Sequence, residues 1–188
     1  MKIAQHSNAL ETNVEVKSQD FGIGNASKII GILRNYLYEH KVRTLVQEYM
    51  SNARDAMREA KSNEKIVVTV PNQMNPVFKV RDFGPGITPQ RMSKVFIQYG
   101  ESTKEGTNAQ TGGFGIGAKS AWAYTDSFTI ISITSGVKRT YVAHTGVNNQ
   151  GRLDLVDTVD TDEPTGTEIH VAVKSQDLGQ FQNAIWRA

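Results

Sequence analysis

Two kinds of hydrophobic repeat divide this chain, and their order limits the folds open to it. From Lys41 to Lys61 apolar residues recur every three or four positions. Val42, Leu45, Val46, Tyr49, Ala53 and Ala56 or Met57 fall on one side, which predicts an amphipathic helix. Later the pattern changes to strands: Ser127–Thr134, Lys138–His144, Arg152–Val159 and Thr167–Val173. Two earlier runs rich in β-branched residues, Lys65–Val70 and Val77–Asp82, flank a turn from Pro71 to Pro76. Helices early and antiparallel strands late predict an α+β architecture, because a strand–helix–strand fold would alternate the two.

The remaining segments fit around this frame. Ala9–Lys17 is expected to be a strand. After Gly22 and Gly24, Asn25 or Ser27 can cap a helix through Tyr38, with Ile29, Ile30, Leu33 and Leu37 on one face. A short helix is expected after Thr88, holding Met92, Val95 and Phe96. Tyr99–Gly112 is polar and aperiodic and reads as a loop, with a further short helix starting in Gly113–Gly117. A last helix is expected from Ser175. The chain stops inside it, at Ile185-Trp186-Arg187-Ala188, which suggests a fragment of a longer protein.

Composition narrows the function. A length of 188 residues suits one domain, and 38% hydrophobic with 21% charged residues is a globular balance. The net charge of +2 gives no strong nucleic-acid signal. The absence of cysteine excludes disulfides, a zinc ribbon and thiol catalysis. His6, His40, His144 and His170 show no metal spacing. The N-terminus has no secretory h-region, and no apolar run approaches the ~20 residues that span a bilayer.

Four motifs carry chemistry. In Glu48-Tyr-Met-Ser-Asn52-Ala-Arg-Asp55-Ala56, the spacing puts Glu48, Asn52 and Asp55 on one helix face. Such a stripe suits a hydrated magnesium ion, with Asn52 as an oxygen ligand and Glu48 able to take a proton from water. It also suits a plain solvated face. In Arg81-Asp82-Phe83-Gly84-Pro85-Gly86-Ile87, Asp82 ends a strand before a tight glycine turn, where its carboxylate can accept an exocyclic amine of adenine. An ordinary turn with a capping Asp has the same pattern.

The third motif joins Gly100-Glu-Ser-Thr-Lys104 to Thr111-Gly-Gly113-Phe-Gly115-Ile-Gly117-Ala-Lys119-Ser120. Glycines ahead of a helix leave N–H groups free for an anion, and Lys104 and Lys119 add positive charge. Ala118 precedes Lys119, so this is not a Walker loop, and a flexible surface loop is the alternative. The fourth, Thr165-Gly166-Thr167-Glu168-Ile169, is a turn into a strand and is weak alone.

In this order, from about Arg43 to Val173, the motifs closely resemble the signature of the GHKL class: gyrase, Hsp90, histidine kinases and MutL. The resemblance implies a Bergerat-fold two-layer sandwich, with a mixed, mostly antiparallel sheet and helices on one face. It implies binding of ATP with Mg²⁺. Asn52 would ligate the metal. Asp82 would bind the adenine amino group, helped by Thr167 through a water. Gly84 and Gly86 would shape the adenine pocket. Tyr99–Gly112 would be the ATP lid, and Gly113, Phe114, Gly115, Ile116 and Gly117, with Lys104 and Lys119, would meet the phosphates. Asp55 belongs to the same ATP-binding set. Glu48 would be the general base; histidine kinases usually lack an acid there.

Val80-Arg-Asp-Phe-Gly-Pro-Gly, the Gly-Gly-Phe-Gly-Ile-Gly-Ala-Lys-Ser run and Tyr124-Thr-Asp-Ser-Phe look like phage rIIA-type rapid-lysis proteins. That resemblance implies an N-terminal ATPase domain of a larger protein; with no secretory signal or span read, a cytoplasmic location is expected (the host cytoplasm if phage-encoded). Hydrolytic relatives use a transducer domain to bring a cation to the γ-phosphate, and none is read after Ala188, so slow or undetectable turnover is expected. The leading expectation is an ATP-operated switch that dimerises or docks an unknown protein partner when the lid closes. A small GHKL protein kinase and a nucleotide-free interaction module are the alternatives.

Overall fold

The computed structural model describes residues 40–92, 117–145 and 151–188. The strand expected at Ala9–Lys17, the helix through Tyr38, Val95, Phe96 and the Tyr99–Gly112 loop lie outside these residues.

Helix α1 (Lys41–Glu59) follows the predicted period. Val42, Leu45, Val46, Tyr49, Ala53 and Met57 are buried on one side of it. It ends at Glu59 rather than Lys61 because Lys61 takes a left-handed conformation, with φ of 50°. The Lys61 N–H donates to the Arg58 carbonyl (3.1 Å) and the Ser62 N–H to the Met57 carbonyl (3.0 Å), a Schellman closure that satisfies the last carbonyls.

Strands β1 (Val67–Thr69), β2 (Val77–Arg81), β3 (Ser127–Thr134), β4 (Val137–Thr145), β5 (Gly151–Asp160) and β6 (Gly166–Ala172) form one sheet. It is six-stranded, in the order β1-β2-β6-β3-β4-β5. Where the sequence predicts a mixed, mostly antiparallel sheet, pairing among the described strands is antiparallel throughout, because β6 enters between β2 and β3 and runs against both. The β3–β4 connection is a two-residue turn with positive φ at Ser135 (51°) and Gly136 (72°), the twist that a tight hairpin needs.

Register sorts the side chains. Val80 pairs with Ile169, and Ile169 with Ile130, so these residues share one sheet face. That face packs on α1 and on α3 (Leu178–Trp186), with Leu45, Val46, Phe78, Ile130, Val171 and Phe181 wholly buried. Phe181 lies 5.5 Å from the Phe78 ring and 5.2 Å from the Tyr124 ring, edge-on to the latter. Lys79, Glu168 and His170 occupy the opposite face by alternation. The result is the expected α+β two-layer sandwich. A 3₁₀ turn, Gly117–Ala123, packs across α1, and α2 (Pro89–Met92) follows Thr88 as expected. The final helical stretch opens as a 3₁₀ turn, Ser175–Asp177, before α3. No helix among the described residues is long and apolar enough to cross a membrane.

Candidate functional site

The site grows from the end of β2. Asp82 follows the last β2 residue and is only 6% exposed. Its Oδ1 accepts the Gly84 N–H (2.9 Å) and the Thr167 N–H (3.0 Å), while its own N–H donates to the Thr167 carbonyl (2.9 Å). One carboxylate oxygen is thus saturated by backbone. Among the described residues, neither Oδ2 nor the Thr167 hydroxyl has a hydrogen-bond partner. Burial pushes the Asp82 carboxyl above the usual carboxylate range, and the two N–H donors and the neighbouring Arg81 charge only partly offset this.

The glycine turn is held at close quarters. A Cβ on Gly84 would lie 2.7 Å from the Ala56 Cβ and 2.9 Å from its carbonyl carbon, so the turn rests directly on α1. Gly86 has φ of +71°, and a Cβ there would lie 2.5 Å from the Ile133 carbonyl oxygen. The Phe83 N–H points to the Met57 sulfur (3.0 Å). Ser132, on the same sheet face as Thr167, clamps the far side of the turn: its hydroxyl donates to the Ile87 carbonyl (2.9 Å) and accepts the Ile87 N–H (2.8 Å). Replacing Ser132 by Ala leaves both Ile87 groups unmatched in a part-buried place. A loss of about 2 kcal/mol in urea unfolding is expected; an unchanged denaturation midpoint would show that the clamp carries no weight.

Behind the turn, Gly166 (φ +144°) touches the chain at Asp82, where a Cβ would fall 2.1 Å from the Asp82 carbonyl oxygen. Arg81 is 9% exposed; its Nη2 donates to the Pro164 carbonyl (2.7 Å) and its guanidinium lies 5.0 Å from the Phe83 ring centroid. Sequence reasoning did not single out Gly166, Ser132, Met57 or Arg81 as supports of the site. A glycine directly before Thr167 was the one available signal.

Helix α1 supplies the other wall. Glu48 and Asn52 are half-buried and Asp55 is buried, so the predicted stripe turns inward. Ala56, on which Gly84 sits, is one residue past Asp55. The Ala121 N–H donates to the Tyr49 hydroxyl (3.3 Å), which fixes the Gly117–Ala123 turn against the same helix beside Glu48. Gly117 and Lys119 lie on that turn. Three motifs therefore meet on α1, and Thr167 joins through Asp82. Lys104, Gly113, Phe114, Gly115 and Ile116 lie outside the described residues. The described histidines, His40, His144 and His170, form no group able to hold a metal ion.

The end of β2, the glycine turn after Asp82 and α1 thus come together at one edge of the sandwich. This chain belongs to the histidine kinase-, DNA gyrase B- and HSP90-like ATPase family, whose profile matches residues 38–177. Membership implies ATP binding. The chain is also similar to a sensor protein, CitS, from Halalkalibacterium halodurans, with 35% identity over 99 residues. That match takes in 52% of this chain and 18% of CitS.

Proposed function

We propose that the chain binds Mg·ATP between α1 and the Asp82 turn and uses the nucleotide as a conformational switch, with weak or absent hydrolysis. The observation that carries this reading is the asymmetry of the Asp82 carboxylate. One oxygen is held by two backbone donors and the other is left to accept from a ligand. An adenine amino group is the complementary donor, whereas guanine presents a carbonyl at that edge. Calorimetry should therefore show Mg·ATP binding and Mg·GTP binding weaker by at least about tenfold, the worth of one hydrogen bond to a charged group. Equal affinities for the two would overturn the assignment.

The residues present fit the rest of the ligand. Asn52 offers a neutral oxygen of the kind magnesium takes beside phosphate and water. The metal, when bound, supplies charge neutralisation for the phosphates. Thr167 has a hydroxyl beside Asp82 that can hold a bridging water to the purine. Glu48 stands one helical turn before Asn52, placed to accept a proton from water. Glu48→Ala should keep ATP affinity within about twofold while any phosphate release disappears. Turnover that survives this change would remove Glu48 from the chemistry.

The switch requires the two nucleotides to be told apart. Hydrogen exchange of residues 99–112 should slow with Mg·ATP and much less with Mg·ADP; identical exchange with both would leave a binding domain without a switch. Dimerisation or docking of a partner protein on ATP binding is part of the same proposal. Membership of a family whose description includes histidine kinases favours a second reading, transfer of the γ-phosphoryl group to a protein side chain. Glu48 weighs against it, since activation of water competes with such transfer. Radiolabel from γ-labelled ATP appearing on protein would reverse that order.

A further inference from the structure

A cavity of about 560 Å³ lies away from the Asp82 turn, between the start of α1, the end of α3 and the segment joining β6 to α3. Lys41, Arg43, Lys174 and Arg187 line it, and among the described lining residues Asp177 is the single carboxylate. Asp177 is already engaged: its Oδ2 accepts the Tyr124 hydroxyl (2.8 Å) and its Oδ1 the Gln180 amide (3.4 Å). Tyr124 forms part of the wall, with its hydroxyl also accepting the Lys174 N–H (3.0 Å) and its ring 5.7 Å from the Lys174 ammonium. Among the described residues none of the four cations is paired with a carboxylate.

This is an unusual concentration of like charge for a chain whose overall charge is only +2. Cations on three separate segments converge on one concavity without neutralising one another. Their mutual repulsion is relieved by an anion. The first turn of α1 contains no acidic residue, and His40 gives it no side-chain cap, so the helix adds its own positive end to the same field. The volume lies within the range of small-molecule sites.

We infer that this cleft binds a compact oxyanion carrying two or more negative charges, phosphate or carboxylate in kind. It does so at a site separate from the nucleotide pocket and independent of the reading given for that pocket. An anion seated there draws the start of α1 towards the end of α3. It therefore bears on the same helix that carries Glu48, Asn52 and Asp55.

The test is an NMR titration of the 188-residue chain, without magnesium, using inorganic phosphate in one arm and tricarballylate in the other. Amide shifts are expected at His40–Arg43, Lys174 and Asn183–Arg187, with residues 82–87 unmoved. The probe that binds more tightly identifies the oxyanion. The Lys174→Glu/Arg187→Glu double variant changes two exposed side chains. It should fold as before by circular dichroism and lose affinity by roughly tenfold or more, with a further loss in high salt for the parent protein. Shifts confined to residues 82–87, no shifts with either probe at millimolar concentration, or unchanged affinity in the double variant would each overturn the proposal.

Discussion

Replacing Asp82 with Asn is expected to cut adenine-nucleotide affinity by at least a hundredfold, about 3 kcal/mol, without unfolding the protein. The substitution is nearly isosteric, and the amide oxygen can still accept the Gly84 and Thr167 N–H groups that Oδ1 accepts now. The other position changes from acceptor to donor. An NH₂ group would then face the amino group of adenine, which converts an attraction into a buried donor–donor clash. Calorimetry with Mg·ATP, paired with thermal unfolding, separates the two effects. Normal affinity in the D82N protein would remove Asp82 from the pocket.

The carboxyl adds a pH signature. Burial raises the Asp82 pKa above its ordinary value of 3.8, so the folded protein holds this proton at a pH where the unfolded chain has released it. Between those two pKa values the native state binds more protons than the unfolded state. The Asp82 contribution to stability therefore worsens as pH rises through that window, and the cost is complete above the raised pKa. Nucleotide binding should run the other way. Protonation removes the charge that attracts the amine, so affinity falls as pH drops through the same window. Both slopes should flatten in D82N. Measuring the difference between parent and variant cancels Glu163 and Glu168, whose carboxyls Lys138 and His170 hold low.

The second large effect concerns a residue with no side chain. Gly166→Ala should destabilise the fold by about 3 kcal/mol or more in chemical denaturation, and weaken nucleotide binding in whatever remains folded. Two penalties combine. The backbone at Gly166 has φ of +144°, which L side chains rarely adopt, and a Cβ would fall 2.1 Å from the Asp82 carbonyl oxygen and 2.6 Å from Arg81 Nη1. Neither neighbour yields easily. Asp82 is tied to Thr167 twice, through its backbone N–H and through its side-chain Oδ1, and Arg81 is tied to Pro164. A stable variant with native affinity would mean that β6 can slide away from β2 at small cost.

Much of this architecture could be read from the sequence. The α1 period and the β-branched run that becomes β2 are strong local signals, and both elements appear near where they were expected. The boundary errors are of a different kind. Helix α1 stops early because Lys61 adopts positive φ, a choice that a lysine does not advertise. The insertion of β6 between β2 and β3 was also out of reach, since nothing in the Thr167–Val173 run names its neighbours. The turn at Asp82, Gly84 and Gly86 was legible because a carboxylate before two closely spaced glycines is a compact pattern. Ser132 and Arg81 were not. A serine inside an apolar strand and an arginine at a strand end become supports of the site only when distant backbone meets them.

The contact between Gly84 and Ala56 limits where motion can occur. With no room for a Cβ between them, the Asp82 turn and α1 form one jaw of fixed width, which under the proposed function would hold the purine on one side and the metal on the other. A nucleotide-driven movement of the kind proposed would then hinge outside this pair, and the gauge would keep its setting while other parts of the domain respond.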